Sequence, residues 1–394
     1  MGKLRIAITG ATGLLGRNLL FEFIKQNLHQ LDEIDVFILG RRSEGKGLKD
    51  RIEEIIREDG CLYCGTDRAG DILARIQTME MDLIQEKLRL SREDYARLKS
   101  FKIDFFFHVA ALTDFRSSPA VVEALYSTNV YGTKQIIGLV STLKVGEFCY
   151  VGSAYSCGKV SGKIGPDYVK LDQEFRNPYE KTKLEAELLV REFSRSSGVK
   201  CRFFRPSTIG GRLMEAPLGA VCKFDVFYSC AAWFVRMKMK MFQQGENIYD
   251  TPLSLDIRVC CNLTSGLNIV PVDYAAKAMY QVCMQDGSVN DVHLVNVKET
   301  PHTLYIPLMM KMLNVTGVKT VDFVPDDKNK VESFYYKTIG NVFTPYMNDG
   351  RVSFDTKNLT SILSNAGLAC PKVDEANFEV LLNYAKKFNF GINK

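Results

Sequence analysis

Short apolar runs alternate, through the first half of the chain, with longer segments whose apolar residues recur at helical spacing. Leu4 to Thr9 is a brief run with β-branched residues and predicts a strand. Leu14 to Leu28 follows, with Leu15, Leu19, Phe23 and Leu28 on one helical face. Asp35 to Leu39 predicts a second strand, and Ile52 to Ile56 lies in a charged helical segment. Lys102 to Val109 is apolar and aromatic, and Val121 to Leu143 is helical again. Phe148 to Val151 reads as a strand, Pro178 to Phe193 as an amphipathic helix, and Cys201 to Phe204 closes the series. Alternation of this kind predicts an α/β fold, a doubly wound parallel sheet covered on both faces.

After residue 210 the pattern loses its regularity. Residues 219–243 are rich in aromatics, cysteine and methionine, and 300–394 mix short helices with loops. These parts are expected at the carboxyl edge of the sheet, where open α/β folds bind ligands. The division predicted is a nucleotide-binding domain over 1–275, with 219–243 as a candidate substrate-wall insertion, and a smaller C-terminal substrate-binding portion over 276–394.

Composition narrows the class. With 46% hydrophobic and 25% charged residues, wholesale disorder is excluded. The 51 basic against 46 acidic residues leave a net charge of +5, too mild to imply nucleic acid. Eleven cysteines, an odd number scattered mostly through apolar runs, predict free thiols and a cytoplasmic chain. A strand at the very start leaves no room for a targeting segment, and no run of 18 apolar residues exists to span a membrane. Cys61 and Cys64 have zinc-like spacing, but no second pair follows and the chain has only 4 histidines, so no metal is expected.

Thr9-Gly10-Ala11-Thr12-Gly13-Leu14-Leu15-Gly16 joins the first strand to the first helix. Gly10 permits a tight turn, Gly13 lets backbone approach a pyrophosphate, and Gly16 lets the helix pack closely on the sheet, as in a Rossmann-type dinucleotide fold. The phosphates would sit on the helix N-terminus, over Thr12, Leu14 and Leu15. At the end of the second strand, where an NAD site places a carboxylate, stands Leu39-Gly40-Arg41-Arg42-Ser43. Two guanidinium groups suit a 2′-phosphate, so NADP(H) is predicted, with Arg41 ahead of Arg42.

Tyr179 and Lys183 are four apart on one helix face. A nearby ammonium is expected to lower the phenol's pKa and ready it as a proton donor to a developing alkoxide. Ser153, just past the strand Phe148 to Val151, is placed to hold the substrate oxygen beside Tyr179.

With these motifs the chain resembles the extended short-chain dehydrogenase/reductase family. Within it, the chain is most similar to the branch of fatty acyl-CoA reductases, terminal thioester-reductase domains of peptide synthetases, and carboxylic acid reductases. The likeness rests on Gly40-Arg41-Arg42, Leu88-Arg89-Leu90-Ser91, His108-Val109-Ala110-Ala111 with Phe115, Asn129-Val130-Tyr131-Gly132-Thr133, and Asn177 through Glu187. It covers roughly 4–275, with a looser match at Phe354 to Leu359. Gly152 and Ser153 stand where fatty acyl-CoA reductases carry serine and threonine.

The resemblance implies Ser153, Tyr179 and Lys183 as the catalytic trio, with Lys183 on the nicotinamide ribose. It implies Asp82 and Leu83 near the adenine, Ala110, Ala111 and Asn129 along the cofactor, and Pro206 and Ser207 near the nicotinamide amide. His108 belongs to a backbone segment and is not expected in acid–base work, and Asp273 is expected to be structural. The activity implied is NADPH-dependent reduction of an acyl-CoA or carrier-protein thioester to an aldehyde, which a second hydride could take on to an alcohol. A nucleotide-sugar epimerase or dehydratase, or a ketone/aldehyde reductase, is the alternative. Phe224, Val226, Phe227, Ala231, Trp233, Phe234 and Met237 are candidates for an acyl wall, against the reading of this segment as a core-packing helix with a solvated basic end. Arg236, Lys238 and Lys240 would meet a thioester-arm phosphate or a peripheral membrane surface, in a monomer or homodimer.

Overall fold

Strand β1 (Leu4–Thr9) shows how the sheet is buried on both faces. Ile6 and Ile8 point into one hydrophobic core and Ala7 into another, the period-two signature of a central strand. Val36 and Ile38 against Phe37 and Leu39 repeat the pattern in β2 (Ile34–Gly40). A computed structural model of the chain describes residues 2–43, 45–242, 247–285, 288–348 and 352–392. In it these strands join β3 (Ile76–Glu80), β4 (Lys102–His108), β5 (Lys144–Val151), β6 (Lys200–Pro206) and β7 (Asp291–Leu294). All pair in parallel, in the order β7-β6-β5-β4-β1-β2-β3. The strand order reverses between β1 and β4, where Thr9 faces His108, and that reversal opens a crevice at the carboxyl ends.

The helix predicted over Leu14 to Leu28 spans Leu14–Gln26. It stops there because the Asn27 side chain donates to the Phe23 carbonyl at 2.8 Å. The single helix expected from Val121 to Leu143 is three joined pieces, Pro119–Leu125, Tyr126–Tyr131 and Gly132–Val140, the middle one wound in wider turns. Such a widening is a common device at functional sites, and here it carries Asn129.

The nucleotide-binding layers do not end at residue 275. β7 completes the sheet from beyond that point, and helix Lys357–Asn365 adds Leu359, Ile362 and Leu363 to the core beneath it. A second core joins helix Phe227–Met241 and strand Leu253–Cys260 to helices His302–Met312 and Glu375–Lys387. The two portions interleave along the chain. A boundary read from pattern misses this because β7 is 4 residues long and carries too short an apolar run to register.

Gly16 fixes how closely the first helix approaches the sheet. A Cβ there would lie 2.2 Å from the Gly10 carbonyl oxygen, which is backbone and cannot move aside. We expect Gly16→Ala to lower unfolding free energy by about 1–3 kcal/mol, read as a lower denaturation midpoint at unchanged m-value.

Candidate active site

One cavity of about 790 Å³ runs along the carboxyl ends of the strands, and its two ends differ in chemistry. The first end is built by the glycine loop. Gly10 sits at φ +79°, and a Cβ on it would come within 2.7 Å of the Ala110 amide nitrogen. No side chain caps the first helix, and no acidic residue lies in its first turn. Thr12, Gly13, Leu14 and Leu15 therefore present a bare helix N-terminus to the cavity, a place where backbone N–H groups and the helix dipole favour an anion. The uncapped N-terminus suits an anion such as a dinucleotide pyrophosphate, and glycine is required at position 10 because a Cβ there would collide with the Ala110 backbone.

Arg41 lines the same end, its carbonyl held by the Arg51 guanidinium at 2.8 Å. Asp82 and Leu83 line it as well, and Ala110 and Ala111 form the adjoining wall. Arg42 does not face the cavity: its largely exposed side chain lies 3.9 Å from Glu80. Pro206 and Ser207 are in the wall, with the Ser207 hydroxyl donating to Asn268 at 2.7 Å.

Asn129 departs from expectation. It is buried and outside the cavity wall. Its amide accepts from the Leu112 N–H at 2.8 Å and donates to the Leu112 carbonyl at 3.0 Å, and it also donates to Thr182 at 3.3 Å. Asn129 thus positions the loop after β4 against helix Pro178–Ser197 and does not face the crevice.

That helix starts at Asn177, whose side chain accepts from the Glu180 N–H at 3.1 Å, with proline at the first position. Its first turn delivers Tyr179 and its second Lys183, both into the cavity wall beside Ser153. The hydroxyls of Thr113 and Ser153 lie near the Tyr179 hydroxyl and favour its ionised form. Thr113 was missed because a lone threonine in a loop carries no pattern.

The expected lowering of the Tyr179 pKa is not found. Desolvation pushes the phenol up to about 12, against the pull of the two hydroxyls. Lys183 is buried and desolvated down to about 7, with Glu187 opposing that shift. Its ammonium donates to the Val151 carbonyl at 2.7 Å and lies 4.7 Å from the Tyr150 ring centre. Near neutral pH Tyr179 therefore holds its proton, and Lys183 is divided between amine and ammonium.

Behind the wall runs a buried polar chain. The Ala110 N–H donates to the Thr9 hydroxyl at 3.3 Å, and that hydroxyl meets His108 Nδ1 at 2.8 Å. His108 Nε2 meets the Thr133 hydroxyl at 3.1 Å, and Thr133 donates its proton to the Asn129 carbonyl at 2.6 Å. With Thr133's only proton committed there, Nε2 must be the donor and Nδ1 the acceptor. His108 is a neutral imidazole with both nitrogens satisfied, and burial pushes its pKa down to about 3.

The other end of the cavity is aromatic. Phe115 packs edge-to-face on Tyr179 at 5.3 Å between centroids and on Tyr346 at 5.7 Å. Phe343, Tyr346 and Met347 of helix Ile339–Met347 reach this wall, together with Tyr155 and Tyr305. Of the predicted acyl wall, Val226 and Phe227 line the cavity. Trp233 and Phe234 instead fill the second core, where the Trp233 indole donates to Thr338 at 3.0 Å. Phe224, Ala231 and Met237 also pack there, and Gln243 lies outside the described residues. Lys238 is buried and donates to the Leu313 carbonyl, so it cannot meet a ligand phosphate. Among the described residues one group offers metal-ligand geometry, Glu147 with Cys149 and Cys283, and Glu147 is already paired with Arg202 and Lys200. Asp273 is structural: it accepts from the backbone of Leu213, Met214 and Glu215.

The family described as Male sterility protein, an NAD-binding family, matches residues 8–279. The chain is 26% identical over 391 residues to a linear gramicidin synthase of Brevibacillus parabrevis, covering 96% of this chain and 7% of that one. It is 28% identical over 250 residues to fatty acyl-CoA reductase 1 of Rattus norvegicus, covering 56% of this chain and 46% of the relative. The chain thus spans less than half the length of either relative. The terminal R domain from the myxalamid PKS-NRPS biosynthetic pathway superposes with a TM-score of 0.74 at 24% identity, over 99% of this chain and 92% of that one. A UDP-glucuronic acid 4-epimerase from Bacillus cereus superposes at 0.62 with 14% identity, over 99% of both chains. At such identities these likenesses carry the fold.

The neutral His108 has a consequence for acid stability. The unfolded histidine protonates near 6.5 and the folded one only near 3, so the unfolded state binds the extra proton in between. We expect the stability advantage of the wild type over His108→Gln to shrink by about 1.4 kcal/mol per pH unit below the histidine's ordinary value. Chemical denaturation at neutral pH and at about pH 5 measures it. An unchanged gap would mean that His108 is already charged in the fold.

Proposed function

The chain belongs to the Male sterility protein family of NAD-binding oxidoreductases, and from that premise we propose that it reduces acyl thioesters with NADPH. The observation that carries the reading is the joining, in one cavity, of the glycine cradle and Arg41 at one end with Tyr179, Ser153 and Lys183 at the other. The bare helix N-terminus and the Gly10 turn would hold the pyrophosphate, and Arg41 would hold a 2′-phosphate. The bound nicotinamide supplies a hydride to the thioester carbonyl carbon.

The chain's own residues do the rest. Tyr179, protonated at neutral pH, donates its proton to the carbonyl oxygen as charge gathers there. Ser153 and Thr113 present hydroxyls near the Tyr179 oxygen that favour the phenolate left behind. Lys183, poised near neutrality, offers the ammonium that steadies the phenolate and supplies its replacement proton. The tetrahedral adduct then breaks its carbon–sulfur bond, releasing thiol and aldehyde; a second round on the aldehyde would give the alcohol. An acyl-CoA or a carrier-protein thioester is the substrate class that the relatives support. All 11 cysteines are free, which favours a reducing, cytoplasmic setting. Among the described residues, no helix is long and apolar enough to cross a membrane.

Two experiments test this. With NADPH and a thioester panel, Tyr179→Phe is expected to lower kcat by roughly 10²–10⁴-fold while NADPH affinity by calorimetry is retained; turnover that survives the substitution removes Tyr179 as the proton donor. Arg41→Ala is expected to weaken NADPH binding by about 10- to 100-fold, the worth of a charged hydrogen bond, and to leave NADH binding unchanged. Arg42→Ala should have a much smaller effect. Equal weakening of both cofactors by Arg41→Ala would refute the 2′-phosphate role.

A further inference from the structure

Resting on the thioester-reductase reading, we infer that the acyl slot selects compact acyl groups, aryl ones foremost, and rejects long straight chains. The far end of the cavity is lined by Phe227, Leu267, Tyr305, Phe343 and Met347, all between 1% and 8% exposed. Each of these belongs to the hydrophobic core of the second portion. A chain pushed past them would have to enter packed protein, where added volume is resisted. The end is therefore blind.

Room is limited as well. A pocket for one drug-sized ligand runs to about 300–1,000 Å³. Here a single cavity of about 790 Å³ must take both a dinucleotide and the acyl group. The open side carries Lys223 and Asp225, paired at 2.7 Å and half-exposed, both lining the cavity. A thioester arm that enters past this polar pair brings its acyl end toward the closed aromatic wall.

The wall's geometry favours a ring. Phe115 is a hub, edge-to-face with Tyr179, with Tyr346 and, at 6.1 Å, with Phe343. Tyr155 meets Tyr346 edge-to-face at 5.5 Å. A flat acyl group placed among them meets ring edges and faces at once, the arrangement aromatic quadrupoles prefer. A straight alkyl chain gains only apolar contact there.

The full chain is assayed by NADPH oxidation with benzoyl-, phenylacetyl-, hexanoyl-, dodecanoyl- and hexadecanoyl-CoA. The expected result is a kcat/KM for the aryl and short substrates at least about tenfold above that for hexadecanoyl-CoA. Phe343→Ala, and Phe343→Leu as the milder change, should lower that ratio by opening the blind end. If a variant does not fold by circular dichroism, the wild-type ratio alone decides. Hexadecanoyl-CoA equal to or better than phenylacetyl-CoA would overturn the slot inference and leave the reductase reading intact. No oxidation with any thioester would instead overturn the reductase reading and this inference with it.

Discussion

The site depends on one buried hydrogen-bonded chain that crosses the switch point of the sheet. It starts at Thr9, at the end of β1, and passes through His108 at the end of β4 to Thr133 and Asn129. From Asn129 it reaches the backbone of Leu112 and the Thr182 hydroxyl on the active-site helix. Every described group along it has a partner, which is the condition under which a buried polar network rigidifies a site instead of weakening it. Its effect is to fix three things relative to one another: the glycine cradle, the loop carrying Thr113, and the helix carrying Tyr179. The wider turn around Asn129 belongs to the same arrangement, since that turn carries the side chain that bridges loop and helix.

A second buried cluster sets the electrostatics under Lys183. Glu187, one turn further along the helix, is fully buried and held by Arg205 through bonds of 2.6 and 2.9 Å, and by Arg191 at 2.8 Å. Its carboxylate is neutralised by guanidinium groups and acts on Lys183 only against the larger desolvation. This accounts for an amine that titrates near neutrality in place of a permanently charged one. It also accounts for glycine at position 152. A Cβ at that position would lie 3.0 Å from the Glu187 carboxylate, which its bidentate partner prevents from giving way.

The glycine loop was readable because its conformation is written in backbone. A turn at φ +79° and a helix that almost touches the preceding loop each demand glycine at a fixed offset, and those offsets survive in the sequence. The Tyr179–Lys183 spacing was readable for the same reason, being a helix repeat. Charge states were not, because they depend on desolvation by distant segments, and the tyrosine's shift ran opposite to the expected one. Asn129 was misplaced since a motif fixes position along the chain and not the direction of a side chain in a widened turn. The C-terminal portion resisted reading most. Its strands are 2 to 4 residues long where they meet the nucleotide domain, as in Gly162–Ile164 beside Val352–Phe354, and such fragments carry no usable period.

That portion nonetheless reaches the proposed proton donor, through the cap of helix Pro178–Ser197. Asn177 uses its carbonyl oxygen to cap the Glu180 N–H, and its amide donates to the Tyr346 hydroxyl at 2.6 Å. Glu180, buried beside Tyr179, is paired with Arg176, which in turn lies 5.3 Å from the Tyr346 ring centre. The helix start is therefore held by the C-terminal portion, as its second turn is held by Asn129 from the nucleotide domain. Tyr179 lies between these two anchors. The ring that bonds the helix cap also lines the cavity, at its aromatic end. Under the proposed reading, a displacement of that ring by an ill-fitting acyl group would reach Tyr179 through Asn177 and Phe115, so recognition of the acyl group and alignment of the phenol would be parts of one packing arrangement.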